Sequence, residues 1–233
     1  MLYFQEIERP PLLVDMLVDE FLESIIEGQL TPRTRISEVK LSEQFNVSRT
    51  PLREALFKLE SLGFVTKGKN SRWEVVSLQV EDIVGKYEMI IILENNAILR
   101  STEESRILAC QKLDSYIEKM KEYVEKKDYP SYRDMDMKFH RCLFDLHKND
   151  CAKTIYNEMV MHVRWIRSLA ISPLVDLGLS IEDHAVIVTN LKEQKISETI
   201  AVLDKHHNRV VERIKEIAYQ NNSFLLHKND LSA

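Results

Sequence analysis

The chain has 233 residues, 44% of them apolar, and a formal net charge of −5. That is enough for one large domain or two modest ones with a buried core. No apolar run approaches the roughly 18 residues that span a bilayer, and no basic segment leads into a hydrophobic run at the N-terminus, so neither a membrane span nor a signal peptide is expected and the cytoplasm is the expected compartment.

The elements follow from spacing. Val14, Leu17, Val18, Phe21, Leu22 and Ile25 form one stripe at helical period, which Gly28 stops. Ser37 is placed to cap a short helix through Phe45, with Asn46 in the turn that follows. Ser48 is placed to cap a second helix, with Pro51 in its first turn, Leu52, Leu56, Leu59 and Leu62 inward, and Gly63 at its end. The period then changes. Phe64-Val65 and Trp73 to Val76 read as two strands around the polar turn from Lys67 to Asn70, a hairpin wing. From Val80 to Asn222 the apolar residues return to three-and-four spacing and divide into six helices. Breaks are expected near Ser101-Thr102, Asp128 to Pro130, Asn149-Asp150, Ser172 to Ser180 and Lys195. Three cysteines, Cys110, Cys142 and Cys151, make no CxxC pair and are expected as reduced structural thiols.

The fold class is therefore mainly α. A winged helix-turn-helix of three helices and a β-hairpin, with an N-terminal arm, occupies 1–77. An all-helical antiparallel bundle occupies 78–222, and a flexible tail 223–233.

Charge is divided unevenly between these parts. Residues 28 to 77 hold nine Lys/Arg against five acids, a balance of +4 that leaves −9 for the rest. Arg49, Thr50 and Arg53 stand together at the start of the second helix of the pair. In a groove-reading helix the N-terminal residues meet base edges and phosphates, which are acceptors, and the helix dipole adds positive potential there. Two arginines by themselves are a solvated face. Joined to the upstream helix, the wing and the basic balance, they favour DNA, with Arg33, Arg35, Lys40, Ser48 and Lys69 as further candidate contacts.

The acidic half carries a second pattern. In "RDMDMKFHRCLFDLH", Asp136 and His140 lie at i and i+4 on one helix face, within reach of one metal ion. His184 opens a later apolar helix and His206 lies on the last long one. Three imidazoles and a carboxylate suit Zn²⁺, Ni²⁺ or Mn²⁺. An Asp/His pair at this spacing is also a common surface hydrogen bond. His147, His162 and His207 are read as structural or solvated, and Met135 and Met137 as packing residues.

Residues 12 to 78 resemble the winged helix-turn-helix of GntR-type bacterial transcription regulators. The likeness rests on Gly28-x-Leu30-x-Pro32, Leu41-Ser42-Glu43, and the run Ser48-Arg49-Thr50-Pro51-Leu52-Arg53-Glu54-Ala55-Leu56. It implies that Arg49 and Arg53 read bases and that Ser48 and Thr50 hold phosphates. Arg33 replaces the glycine of the family's Pro-Gly turn, and a wing glycine is missing near Ser71-Arg72. Residues 81 to about 215 resemble the FCD effector domain of the FadR-type branch, through Asp136-x-x-Phe139-His140, Asn149, Glu182-Asp183-His184 and the spacing to His206. That resemblance implies a metal held by Asp136, His140, His184 and His206, and a small organic acid bound beside it. Ile90 stands where the family commonly has an arginine that meets the effector, and Arg164 and Arg167 are candidate replacements.

The expected activity is that of a ligand-responsive repressor, a homodimer on an inverted-repeat operator in double-stranded DNA. The alternatives are a metal-dependent enzyme using the Asp/His site and a protein-binding helical module.

Overall fold

A computed structural model describes residues 13–68, 72–170, 176–220 and 225–226. Helix α1 (Leu13–Ile26) buries the expected stripe, and Gly28 leaves the helix with φ 78°, a left-handed turn that glycine adopts at little cost. Strand β1 is Arg35–Ile36 and helix α2 is Glu38–Gln44. Ser37 caps α2, accepting from the Lys40 backbone N–H at 3.4 Å. Helix α3 (Arg49–Ser61) buries Leu52, Ala55, Leu56 and Leu59 in the same apolar cluster as α1. Ser48 does sit at the N-cap of α3 with extended backbone, but its side chain accepts no capping bond, contrary to the sequence expectation.

The wing departs from a simple hairpin. Strands β2 (Val65–Lys67) and β3 (Trp73–Val75) pair antiparallel, and β1 adds to the other edge of β3, giving the order β1-β3-β2. The register sets Arg35 opposite Glu74 and Ile36 opposite Trp73. Two residues are too few to show alternation in sequence, so β1 had no signal of its own. The turn residues 69–71, Lys69 among them, lie outside the described residues.

Strand β4 (Leu78–Gln79) leads directly into helix α4 (Val80–Arg100), followed by α5 (Glu103–Glu125), α6 (Tyr129–Phe144), α7 (Asp150–Ala170), α8 (Leu177–Lys192) and α9 (Ile196–Gln220). Caps stand at several of the expected breaks. Thr102 and Ser105 form a reciprocal capping box, Asp128 accepts from Ser131 N–H, and Asn149 Oδ1 accepts from Ala152 N–H. Asp176 caps α8, so His184 lies midway along that helix and does not open it. Helix α4 packs against α6, α7 and α9, while α5 packs against α6 and α8. Of the tail, only Leu225–Leu226 is described, as a strand β5 parallel to β4.

Among the described residues, two apolar clusters hold the chain together. One lies among α5, α6 and α8, with Ile98 of α4 and Leu203 of α9. The other is continuous from the winged part into α4, α7 and α9, where Phe64 stacks on His162 at 4.3 Å between ring centroids and Trp165 lies 5.5 Å from the same ring. The winged part therefore docks on α7. Among the described residues no helix is long and apolar enough to cross a membrane.

Candidate metal centre and nucleic-acid interface

The basic face is built on α2, α3 and the small sheet. Arg33, Arg35, Lys40, Ser48, Arg49, Thr50 and Arg53 are all exposed. Arg53 has a fixed partner: its Nε donates to Glu38 Oε2 at 2.8 Å, and Glu38 Oε1 accepts from Trp73 Nε1 at 3.1 Å. Glu38 thus ties α3 to α2 and to the sheet. Arg33 takes a left-handed φ of 65°, where a family glycine would be relaxed, and donates from Nε to Ser77 Oγ at 3.0 Å.

Deep in the helical part, four residues from three helices converge. Asp136 and His140 on α6, His184 on α8 and His206 on α9 are all buried, and one ligand atom from each lies within 4.8 Å of the others. His184 Nε2 is 3.6 Å from Asp136 Oδ1, and His140 Nε2 is 4.0 Å from the same oxygen. Asp136 Oδ1 and both ring nitrogens of His184 and His206 have no hydrogen-bond partner among the described residues. An unsatisfied buried polar atom costs about 1–3 kcal/mol, and Asp136, His184 and His206 each offer one such atom to the same small space. A divalent transition metal would satisfy them with the nitrogen and oxygen donors it prefers, so the donor set fits.

The surrounding charges suit that role. Burial pushes His184 and His206 well below the ordinary imidazole value, and neighbouring imidazoles add to it, which keeps their lone pairs available. Burial would raise Asp136, but Arg167, then the three imidazoles, outweigh it and hold the carboxylate ionised. Arg167 donates to Asp136 Oδ2, leaving Oδ1 toward the histidines.

A second network, not anticipated from the sequence, supports the first. Glu94 of α4 is fully buried, and its Oε2 lies 3.1 Å from His140 Nδ1 and 2.9 Å from His207 Nε2. Its Oε1 accepts from Tyr156 Oη at 2.8 Å. Burial opposes charge on Glu94, yet His140 and His207 hold it well below the usual carboxylate range. With Glu94 accepting from Nδ1–H, His140 turns its Nε2 toward the metal cluster. On the far side, Asp183 Oδ2 lies 3.4 Å from His206 Nδ1 and pairs with Arg209. His207 is therefore an engaged member of this network, not an isolated histidine; His162 has the structural place expected for it.

A cavity of about 380 Å³ opens beside the cluster. His140, His206, His207, Glu94 and Arg167 line it, together with Tyr87, Ile90, Arg141, Val160 and Arg164. Ile90 thus stands in the cavity wall and brings no charge to it. Tyr87 Oη is buried without a partner among the described residues, and burial pushes it up to about 12, so the hydroxyl keeps its proton at neutral pH. The two arginines expected to meet a ligand are differently placed: Arg167 is paired with Asp136, whereas Arg164 makes a bidentate pair with Glu23 of α1 at 2.7 and 2.9 Å.

Residues 13–75 match the model of bacterial regulatory proteins of the gntR family, and residues 86–216 match the FCD domain. The chain belongs to the GntR family and carries an FCD effector domain. Among relatives, the Nta operon transcriptional regulator of Aminobacter aminovorans is 30% identical over 79% of this chain and 88% of its own. The gluconate operon transcriptional repressor of Bacillus subtilis is 21% identical over 83% of this chain and 81% of its own. A GntR transcriptional regulator from Rhodococcus sp. RHA1 shares the fold, with a TM-score of 0.74 at 18% identity, over 87% of this chain and 97% of the other.

This GntR-family chain is accordingly a DNA-binding transcriptional regulator, and its family is one of regulators, not enzymes. The winged helix-turn-helix and the helical FCD architecture agree with the sequence reading. Every proposed metal ligand lies inside the matched FCD segment, as do Glu94, Tyr156 and His207.

Proposed function

We propose that this regulator binds an inverted-repeat operator as a homodimer, and that its FCD domain holds a divalent transition metal through Asp136, His140, His184 and His206 and takes a small organic acid at that site. The observation that carries the reading is the shared wall: His140 and His206 belong to the metal cluster and also line the adjoining cavity, as does Arg167, which pairs with Asp136. Bound there, the metal supplies a positive anchor for a carboxylate. The protein's own contribution is to fix the ligands, His140 through Glu94 and Asp136 through Arg167, and to enclose the acid among Tyr87, Ile90 and Val160.

On DNA, Arg49 and Arg53 of α3 read base edges while Ser48 and Thr50 hold phosphates, and Arg33, Arg35 and Lys40 add to the basic face; Lys69, outside the described residues, is a further candidate contact. Two-fold symmetry of the protein then matches two-fold symmetry of the operator. Exposed Met89, Ile92 and Leu99 on α4 and Ile107 and Leu108 on α5 support a second copy as the cover of this apolar surface. The acid cannot touch DNA from its cavity, so it acts by favouring one arrangement of the dimer over another. Release of DNA is the sense we assign, as for a repressor.

The test is fluorescence anisotropy on a duplex that the protein itself selects from a random pool, with metal-loaded protein and a panel of small carboxylic acids. At least one acid should weaken operator binding. An acid that binds in the cavity and strengthens operator binding would overturn the assigned sense.

A further inference from the structure

We propose that the acid is a dicarboxylate, and that its second carboxylate takes Arg164 from Glu23, so that Arg164 is the exchange point between the FCD cavity and the winged domain. The inference rests on the reading above and adds which acid the cavity takes and how its arrival reaches α1.

The cations of the cavity are not equivalent. Arg167 is held by Asp136 within the metal cluster. Arg141 bonds Asp145 at 3.3 Å and Asn157, and lies over the Phe144 and Tyr156 rings. Lys138 is exposed. Ile90 contributes no charge. Arg164 is the cavity cation whose carboxylate partner comes from outside the FCD domain, from α1.

That partner is replaceable. The Arg164 and Glu23 side chains are 36% and 47% exposed, and a pair so open to water is weak and easily exchanged. A carboxylate inside the cavity meets the same guanidinium at a lower effective dielectric, with the same bidentate geometry on offer. The partnerless hydroxyl of Tyr87 provides a further donor to an anion in the cavity.

Arg164 also stands at a junction. A second cavity, again about 380 Å³, shares Asp134, Met137, Arg164 and Arg167 with the first and is bounded by Ile26 and Glu27 at the end of α1 and by Arg133 of α6. A ligand with one acid group at the metal cluster and another at Arg164 therefore reaches the edge of the winged domain. Helix α1 shares its apolar cluster with α3, and α7 carries both Arg164 and the residues that dock the wing, His162 and Trp165. Losing the Glu23 contact releases one of the ties that fix α3 relative to the FCD domain.

The experiment is calorimetric titration of the zinc-loaded full chain with α,ω-dicarboxylates from succinate to adipate, each paired with the monocarboxylate of equal length. Wild type, Arg164→Gln and Glu23→Gln are compared, with zinc content checked in each. At least one dicarboxylate should bind about 10-fold or more tightly than its monocarboxylate partner. Arg164→Gln should abolish that advantage and leave monocarboxylate affinity unchanged. Glu23→Gln should raise dicarboxylate affinity about two- to five-fold by removing the competitor. Hydrogen exchange over residues 13–26 should rise with dicarboxylate in wild type and already be raised in Glu23→Gln. A dicarboxylate advantage that survives Arg164→Gln, or Glu23→Gln with wild-type affinity, overturns the inference. Monocarboxylates that bind without any gain from a second acid group overturn this inference but not the metal-and-acid reading; no acid binding to any of the proteins overturns both.

Discussion

His140 and Glu94, both buried, face each other across 3.1 Å, with the imidazole turned so that its second nitrogen points into the Asp136 cluster. Glu94 is itself held by Tyr156 and His207, so four helices fix one metal-ligand orientation: α4, α6, α7 and α9. Removing the carboxylate charge while keeping its shape should therefore loosen the metal. Glu94→Gln is expected to weaken metal affinity about 10- to 100-fold, as loss of an orienting partner of a ligand histidine does. Competition against a chelator of known affinity checks this, and wild-type affinity in the variant would remove Glu94 from the site.

Arg53 pairs with Glu38 and is proposed to read a base, two roles of unequal weight. Its pair with Glu38 is 56% exposed on the arginine side and should contribute less than about 1 kcal/mol to folding. A base contact is worth about 1–3 kcal/mol of discrimination. Arg53→Ala should thus reduce operator affinity roughly 10-fold or more with little change in thermal stability. Anisotropy on specific and scrambled duplexes, beside a melting curve, separates the two. An equal loss on both duplexes would make Arg53 a phosphate contact.

Acid should weaken the docking of the winged domain on α7. Burial, with the Phe64 ring stacked on the imidazole, lowers the His162 pKa from its ordinary 6.5, with Lys86 acting in the same direction and Glu158 and the Gly63 backbone opposing. A histidine held neutral in the folded state binds fewer protons than in the unfolded chain, so its contribution to stability is intact above about pH 6.5 and declines as pH falls below it. Urea unfolding at pH 7.5 and 5.5 should show a smaller acid loss in His162→Phe than in wild type. Equal losses would mean that His162 does not titrate differently on folding.

The apolar residues left exposed on α4 and α5 predict self-association. Ile92 and Leu99 are 57% and 64% exposed, seven positions apart on one face of α4. A double change, Ile92→Glu with Leu99→Glu, should convert a dimer to a monomer in analytical ultracentrifugation and weaken operator binding. A variant that stays dimeric would place the interface elsewhere.

How much of this was legible in the chain depends on sequence distance. Helices α1 to α9 announced themselves through period and caps, because an amphipathic stripe with Ser37, Thr102, Asp128 or Asn149 before it is a local signal. Asp136 and His140 share one helix face and were visible as a pair; His184 and His206, being on other helices, could be joined to them as candidates by residue type, and the family likeness then favoured the set. Glu94 gave no such signal, because its partners His140, Tyr156 and His207 lie 46, 62 and 113 positions away and meet it only when four helices pack. The same holds for Arg164, whose Glu23 partner is 141 positions distant, and for the short strand β1.

The most direct test of the account is the metal-to-chain ratio of the purified protein and of His184→Ala, by inductively coupled plasma mass spectrometry after reloading with zinc, nickel or manganese. The account predicts about one transition metal per chain in wild type, tightly held, and a marked loss in His184→Ala with circular dichroism unchanged. Wild-type protein that takes up no metal, or a His184→Ala variant that keeps its full complement, would contradict it.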